Sequence, residues 1–188
     1  MFGAHGRRAK NIFYEEACRV PLLMRWPRHI APDSRSDACV STVDLLPTLL
    51  AMLHLQAPAD VEGMDLSHCA RGAAGPEPDA ALMQICGATA AWEDGHEWRA
   101  LRNKQYTYAI YRVDGNELLF DHITDPYQLH NLAQDAAHAE TLEMFRAMLK
   151  QKLVRLNDTF AACTWYRDHW TDGQRNIVRS ATTDFEAT

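Results

Sequence analysis

Lys10-Asn-Ile-Phe-Tyr14-Glu15-Glu16-Ala-Cys18-Arg19-Val20-Pro21-Leu-Leu-Met24-Arg25-Trp26-Pro27 holds a charged, aromatic first half and an apolar second half. Val20 to Met24 lies between two groups of breakers and is closed by Pro27. Its length and composition predict a short strand buried on both faces of a parallel sheet. Beyond it, Ile30 to Asp37 reads as a polar turn. Ser41 to Leu55 then reads as a helix, with Asp44 as N-cap and Pro47 in the first turn, where a missing N–H costs little. Leu45, Leu49, Met52 and Leu53 are expected to share its buried face.

Gln56 to Pro78 is rich in proline and glycine, and a boundary between two subdomains is expected there. Three strand-like runs follow, at Ala81 to Cys86, Trp98 to Tyr111 and Glu117 to His122. The middle run alternates on either side of Asn103-Lys104-Gln105 and so predicts a hairpin. Asp114-Gly115-Asn116 is a turn before the third strand. From Ala136 to about Leu156, the residues Leu142, Phe145, Leu149, Leu153 and Leu156 recur at helical spacing and predict an amphipathic helix on one face of the sheet. After that, Trp165, Tyr166 and Trp170 are expected to dock, and Thr182 to Thr188 to fray.

The 188 residues suit one domain or one and a half, with 47% hydrophobic content. A formal charge of −6 argues against nucleic acid as the main partner. No apolar run is long enough for a membrane span, and the first residues lack the apolar core of a signal peptide. The five cysteines include no C-x-x-C pair, so buried or half-buried thiols in a reducing, cytoplasmic setting are expected rather than a zinc site or disulfides.

Five motifs occur in order along the chain. They are Lys10 to Leu22, with its K-x-x-x-Y-E-x-x-x-R-x-P-L pattern; Val43-Asp-Leu-Leu-Pro-Thr-Leu49; Gly63-Met-Asp-Leu66; Trp98-Arg-Ala-Leu-Arg102 with Tyr106-Thr-Tyr108; and Leu118-Leu-Phe-Asp121 with Asp125-Pro126 and Asn131-Leu132. Together they resemble the second half of sulfatases, metal-dependent sulfate-ester hydrolases of the alkaline phosphatase superfamily. Thr107 stands where that pattern has lysine, and Gln128 where it has glutamate; both are expected to be surface changes.

The resemblance implies an α/β fold: the C-terminal end of an alkaline-phosphatase-like α/β sandwich, followed by a small antiparallel sheet packed by one long helix. It divides the chain into 1–70, the end of the α/β domain with the lysine loop, strand and helix; 71–160, a C-terminal α+β subdomain; and 161–188, an aromatic and polar tail. Lys10 matches the lysine that reaches the sulfate and leaving-group oxygens. His5 matches a less constant loop histidine, and a solvated or locally hydrogen-bonded role is equally open to it. His96, between strands and among aromatics, is a candidate substrate contact or an ordinary loop histidine. Glu15 or Glu16 is expected to pair with Arg19.

Neither the formylglycine motif C/S-x-P-x-R nor a metal-ligand segment is present in the chain. Formylglycine and a divalent cation, calcium by resemblance, are therefore expected only in the parent enzyme, with no metal ligand here. The implied partners are an N-terminal sulfatase half and a sulfated small molecule or sugar, with self-association possible through uncovered edges. The chain alone is expected to be inactive. The rival readings are a non-catalytic interaction or assembly module, or part of a related phosphonate or phosphodiester hydrolase.

Overall fold

The computed structural model describes residues 1–86, 94–173 and 178. Two compact units form, one from Met1–Arg19 with Leu82–Thr188 and one from Val20–Ala81. Where the sequence reading divides the chain into 1–70, 71–160 and 161–188, the contact units group both the lysine-bearing segment and the C-terminal tail with the sheet, and the second unit runs to Ala81.

The first unit is built on four strands, β1 (Ala81–Ile85), β2 (Trp98–Arg102), β3 (Tyr106–Tyr111) and β4 (Glu117–Asp121), in spatial order β1-β2-β3-β4. β2 pairs antiparallel with β3 (Ala100 opposite Ala109), and β3 antiparallel with β4 (Ala109 opposite Leu118). The expected hairpin is therefore present. Its turn is closed by Asn103, whose Oδ1 accepts from the Gln105 and Tyr106 N–H groups at 2.9 and 2.6 Å.

Both faces of this sheet are covered. On one face, Trp98, Ala100, Ala109 and Phe120 form a core with Ile12 and Phe13 from the N-terminal segment. The other face carries Leu101, Tyr108 and Leu119. There, Tyr106 and Tyr108 meet Phe145 with ring centroids 6.1 and 6.0 Å apart. Phe145 belongs to a helix, α4 (Ala139–Arg155), which buries Leu142, Phe145 and Leu149 at the predicted spacing. A strand covered on both sides loses its polar alternation, and four of the five β2 residues are buried.

The tail contains a helix that sequence periodicity does not reveal, α5 (Cys163–Trp170), with Cys163 and Tyr166 buried. Glu97 fixes its start, accepting the Cys163 N–H at 2.7 Å, while Asp94 accepts the Thr164 N–H and hydroxyl at 2.8 and 2.9 Å. A buried network joins α5 to β2. The Arg99 guanidinium donates to both Asp158 carboxylate oxygens (2.6 and 3.0 Å), to the Tyr166 hydroxyl (2.8 Å) and to the Ile85 carbonyl (3.0 Å). It also lies 4.6 Å over the Phe160 ring. The expected fraying of Thr182 to Thr188 falls outside the described residues.

In the second unit the expected helix forms as a 3-10 turn, Thr42–Asp44, running into α2 (Leu45–Met52). Asp44 stands at the N-cap position of α2 as expected, and Ser41 caps the preceding 3-10 turn in a capping box in which Asp44 accepts the Ser41 N–H at 2.8 Å. Its other oxygen accepts the Met64 N–H, also at 2.8 Å. The buried side is Asp44, Pro47, Thr48 and Met52; of the predicted Leu45, Leu49, Met52 and Leu53 stripe, Met52 is buried as expected, whereas Leu49 and Leu53 are exposed. The shift follows from the polar anchors: Thr48 Oγ1 accepts the Leu66 N–H at 2.9 Å, so the 61–66 segment crosses at that face. Gly63 is required there, because a Cβ would stand 2.0 Å from the Val43 carbonyl oxygen. A further short helix, α3 (Ser67–Ala70), follows.

Val20 to Met24 does not form the predicted strand. The segment is irregular, and Val20, Leu22 and Leu23 are 68%, 49% and 92% exposed. A strand buried on both faces needs hydrogen-bonding neighbours at its edges, and none of the described strands pairs with it.

Candidate active site

The lysine loop is built from turns and then locked by two aromatic anchors. Gly3, His5 and Gly6 take left-handed backbone angles (φ 100°, 52° and 68°), which glycine adopts at no steric cost. The Gly3 N–H donates to the Arg7 carbonyl at 2.9 Å and the Arg7 N–H to the Ala4 carbonyl at 3.0 Å, closing a tight ring of backbone. Further on, Ile12 and Phe13 are 3% and 1% exposed. Phe13 meets Trp98 edge to face at 5.3 Å, and the Trp98 indole N–H donates to the Asn11 carbonyl at 3.4 Å. Lys10 lies between these fixed points and is exposed.

His5 is held rather than solvated. Its ring stacks flat on Tyr14 (centroids 3.7 Å apart, planes 2° apart), and its Nε2 lies 3.6 Å from a Glu16 carboxylate oxygen. Burial pushes the Tyr14 phenol up, with the Arg7 charge opposing. His5, Lys10, Tyr14 and Glu16 therefore belong to one short, ordered segment. His96 is exposed in the loop before β2 and has no hydrogen bond or ion pair among the described residues.

Behind the loop, Glu15 is the structural carboxylate. It pairs with Arg102 at 2.8 Å and only loosely with Arg19, at 3.9 Å. Glu16, expected as the other partner of Arg19, faces His5 instead. Burial alone would raise the Glu15 carboxyl, but the Arg102 hydrogen bond and charge outweigh it and hold it low.

Gln128 and Thr107, expected at the surface, are both buried (2% and 0% exposed). Gln128 Oε1 accepts the Glu15 N–H at 2.8 Å, and its Nε2 has no hydrogen-bond partner among the described residues. Thr107 Oγ1 lies 2.8 Å from His122 Nε2. Burial, then the Arg102 charge, pushes the His122 imidazole down, which favours its neutral form. These residues tie the first turn of α1 (Glu15–Cys18) to the sheet, and with it the loop that carries Lys10.

Cys18 donates to the Ile12 carbonyl at 3.2 Å, and burial raises its thiol to about 11. All five cysteines are free thiols. Among the described residues, no group of three or more His, Cys, Asp or Glu side chains is placed to hold a metal ion. No described helix is long and apolar enough to cross a membrane.

The small antiparallel sheet backed by one long helix is shared with solved sulfatases of the alkaline-phosphatase-like class. The family model for the C-terminal region of N-sulphoglucosamine sulphohydrolase matches residues 3–158, and the chain belongs to the sulfatase family as a C-terminal portion. It is 32% identical over 172 residues to an ulvan-active sulfatase of Formosa agariphila, covering 88% of this chain and 33% of that protein. A Δ4,5-hexuronate-2-O-sulfatase of Bacteroides thetaiotaomicron is 27% identical over 165 residues, covering 84% and 33%.

Among solved structures, yidJ of Bacteroides fragilis superposes with a TM-score of 0.71 at 31% identity, covering 84% of this chain and 34% of that one. BT4656, in complex with its substrate D-glucosamine-2-N,6-O-disulfate, gives a TM-score of 0.73 at 24% identity, covering 82% and 32%, and so supports the fold alone. The chain spans about a third of the length of the curated relatives it matches.

Proposed function

We propose that this chain is the C-terminal portion of a sulfuric-ester hydrolase and that Lys10 faces the reacting sulfate. The observation that carries the reading is the family match over residues 3–158, with Lys10 exposed on a loop anchored by Phe13. An ammonium on a fixed loop offsets negative charge on the sulfate and leaving-group oxygens, and it gains strength as water is excluded. His5, stacked on Tyr14, lies on the same loop and serves the same site. His96 meets the bound substrate from the loop before β2. The substrate is a sulfated sugar or small molecule, in keeping with the ulvan and hexuronate in the names of the relatives.

Formylglycine and a divalent cation, calcium by family, are supplied by polypeptide outside these 188 residues; the described side chains here provide no donor set. Residues 20–70 then complete the α/β domain of the parent. The exposed Val20, Leu22 and Leu23, and the exposed Leu46, Leu49 and Leu53 of α2 and its end, pack against that N-terminal portion. On its own the chain is expected to associate through these faces. Light scattering checks this: a mass above the monomer is expected, and a monodisperse monomer contradicts it.

Activity is tested with an aryl sulfate and calcium, using the purified chain and the same chain continued upstream by the N-terminal two thirds of a sulfatase. Calcium-dependent sulfate release is expected from the joined polypeptide only. Sustained release by the 188-residue chain would sink the reading.

A further inference from the structure

We propose that Arg7 and Arg8 form an anion subsite beside Lys10, which takes a second negatively charged group, sulfate or carboxylate, on the same saccharide molecule. The proposal rests on the reading of Lys10 above and adds to it a determinant of substrate choice.

Charge is the first observation. The chain as a whole carries −6, yet residues 1–14 contain Arg7, Arg8 and Lys10 and no acidic residue. The next carboxylates in sequence are engaged elsewhere: Glu15 pairs with Arg102 at 2.8 Å, and Glu16 faces His5 at 3.6 Å. Arg7 and Arg8 are exposed and enter no ion pair among the described residues. Their charge is available to a ligand.

Shape is the second. A cavity of about 170 Å³ is lined by Arg7, Arg8, Ala9, Asn11 and Ile12. Its floor includes Ile12, which is 3% exposed and belongs to the sheet core. The backbone of Arg7 is fixed at both ends by the hydrogen bonds to Gly3 and Ala4, and that of Asn11 by Trp98. The backbone that carries Arg7 is therefore fixed beside the cavity, which lowers part of the ordering cost of binding.

Chemistry is the third. Guanidinium forks match the paired oxygens of sulfate and carboxylate alike. A single exposed charge contributes little in water, so two forks acting together at one cavity are what makes a subsite. Arg8 and Lys10 are two residues apart, at most about 7 Å along the chain. That separation suits two anionic substituents on one saccharide, one at Lys10 and the other at the arginines.

Nuclear magnetic resonance titration of the 188-residue chain at low ionic strength tests the subsite, following the arginine Nε–H signals. Three probes are used: N-acetylglucosamine 6-sulfate, with one anion; glucosamine 2-N,6-O-disulfate, with two sulfates; and a 6-sulfated glucosamine disaccharide carrying a uronate carboxylate. The proposal expects at least one two-anion probe to bind about ten-fold tighter than the one-anion probe. The Arg7→Gln, Arg8→Gln double variant should bring that ratio to within about two-fold, while Lys10→Gln weakens all three probes alike.

The tighter of the two-anion probes identifies the second group as sulfate or carboxylate. Retention of the preference in the double variant overturns the subsite, as does absence of saturable binding by any probe. Loss of the preference together with no effect of Lys10→Gln keeps the arginine subsite and overturns the reading of Lys10. Both arginines are exposed, so the double variant is expected to keep its fold, as its unshifted core amide signals would show.

Discussion

Replacing Arg99 by alanine is expected to lower the stability of the sheet unit by about 3–5 kcal/mol, because it leaves a buried carboxylate without its counter-ion. Arg99 is 1% exposed, and Asp158, its bidentate partner, is 6% exposed at the side chain. The same substitution removes the guanidinium donor to the Tyr166 hydroxyl, which itself donates to Asp158 at 2.6 Å, and the donor to the Ile85 carbonyl. Burial alone would raise the Asp158 carboxyl, but the Arg99 hydrogen bonds and charge outweigh it and hold it low.

A carboxyl depressed in the folded state stabilises fully above its unfolded value, near about 3.9, and loses that contribution as pH falls through the folded value. The gap between wild type and Arg99→Ala should therefore be full at neutral pH and narrow below about pH 4. Urea unfolding at the two pH values measures it. A loss under about 1 kcal/mol at neutral pH would mean that the pair is solvated and contributes like a surface ion pair. Substituting Arg99 and Asp158 together by methionine and leucine should restore part of the loss, since a buried pair replaced by apolar groups is often neutral.

The elements most legible in the sequence are those whose signal is local. The hairpin of β2 and β3 shows as alternation broken by Asn103-Lys104-Gln105, and α4 as a stripe at Leu142, Phe145 and Leu149; both are present as expected. Features decided by distant contacts were hidden. Val20 to Met24 has a strand's composition, but a strand is defined by its neighbours, and among the described strands it has none. The buried face of α2 departs from its apolar pattern because Asp44 and Thr48, polar by type, are buried as acceptors for the crossing 61–66 segment.

Gln128 and Thr107 look like surface replacements in sequence but sit behind the lysine loop, because polar side chains that serve backbone or histidine partners are hidden from hydropathy. Arg99 gave no warning either. An arginine in a strand reads as outward-facing, yet here both sheet faces are covered and Asp158 lies 59 residues away. The one signal available was the tryptophan, alanine and leucine around it in a strand with no polar neighbour before Arg102. Lys10 and His5 are close in sequence, but the Tyr14 and Glu16 contacts that hold His5 are visible only in the structure.

Lys10 carries the second large effect. It is exposed and has no hydrogen bond or ion pair among the described residues, so its removal should leave the fold intact. On the proposed reading its ammonium binds the ground-state sulfate and meets further charge that develops at the sulfate and leaving-group oxygens, so its loss should weaken binding modestly and fall mainly on turnover. Removing one such charged donor costs about 10²–10³ in kcat. The decisive measurement is kcat for aryl sulfate hydrolysis by the chain joined to a sulfatase N-terminal portion, with Lys10 and with Lys10→Ala. A fall of about 10²–10³ in kcat with an unchanged melting temperature is predicted. An unchanged kcat in the Lys10→Ala enzyme would contradict the claim that this segment delivers its lysine to the reacting sulfate.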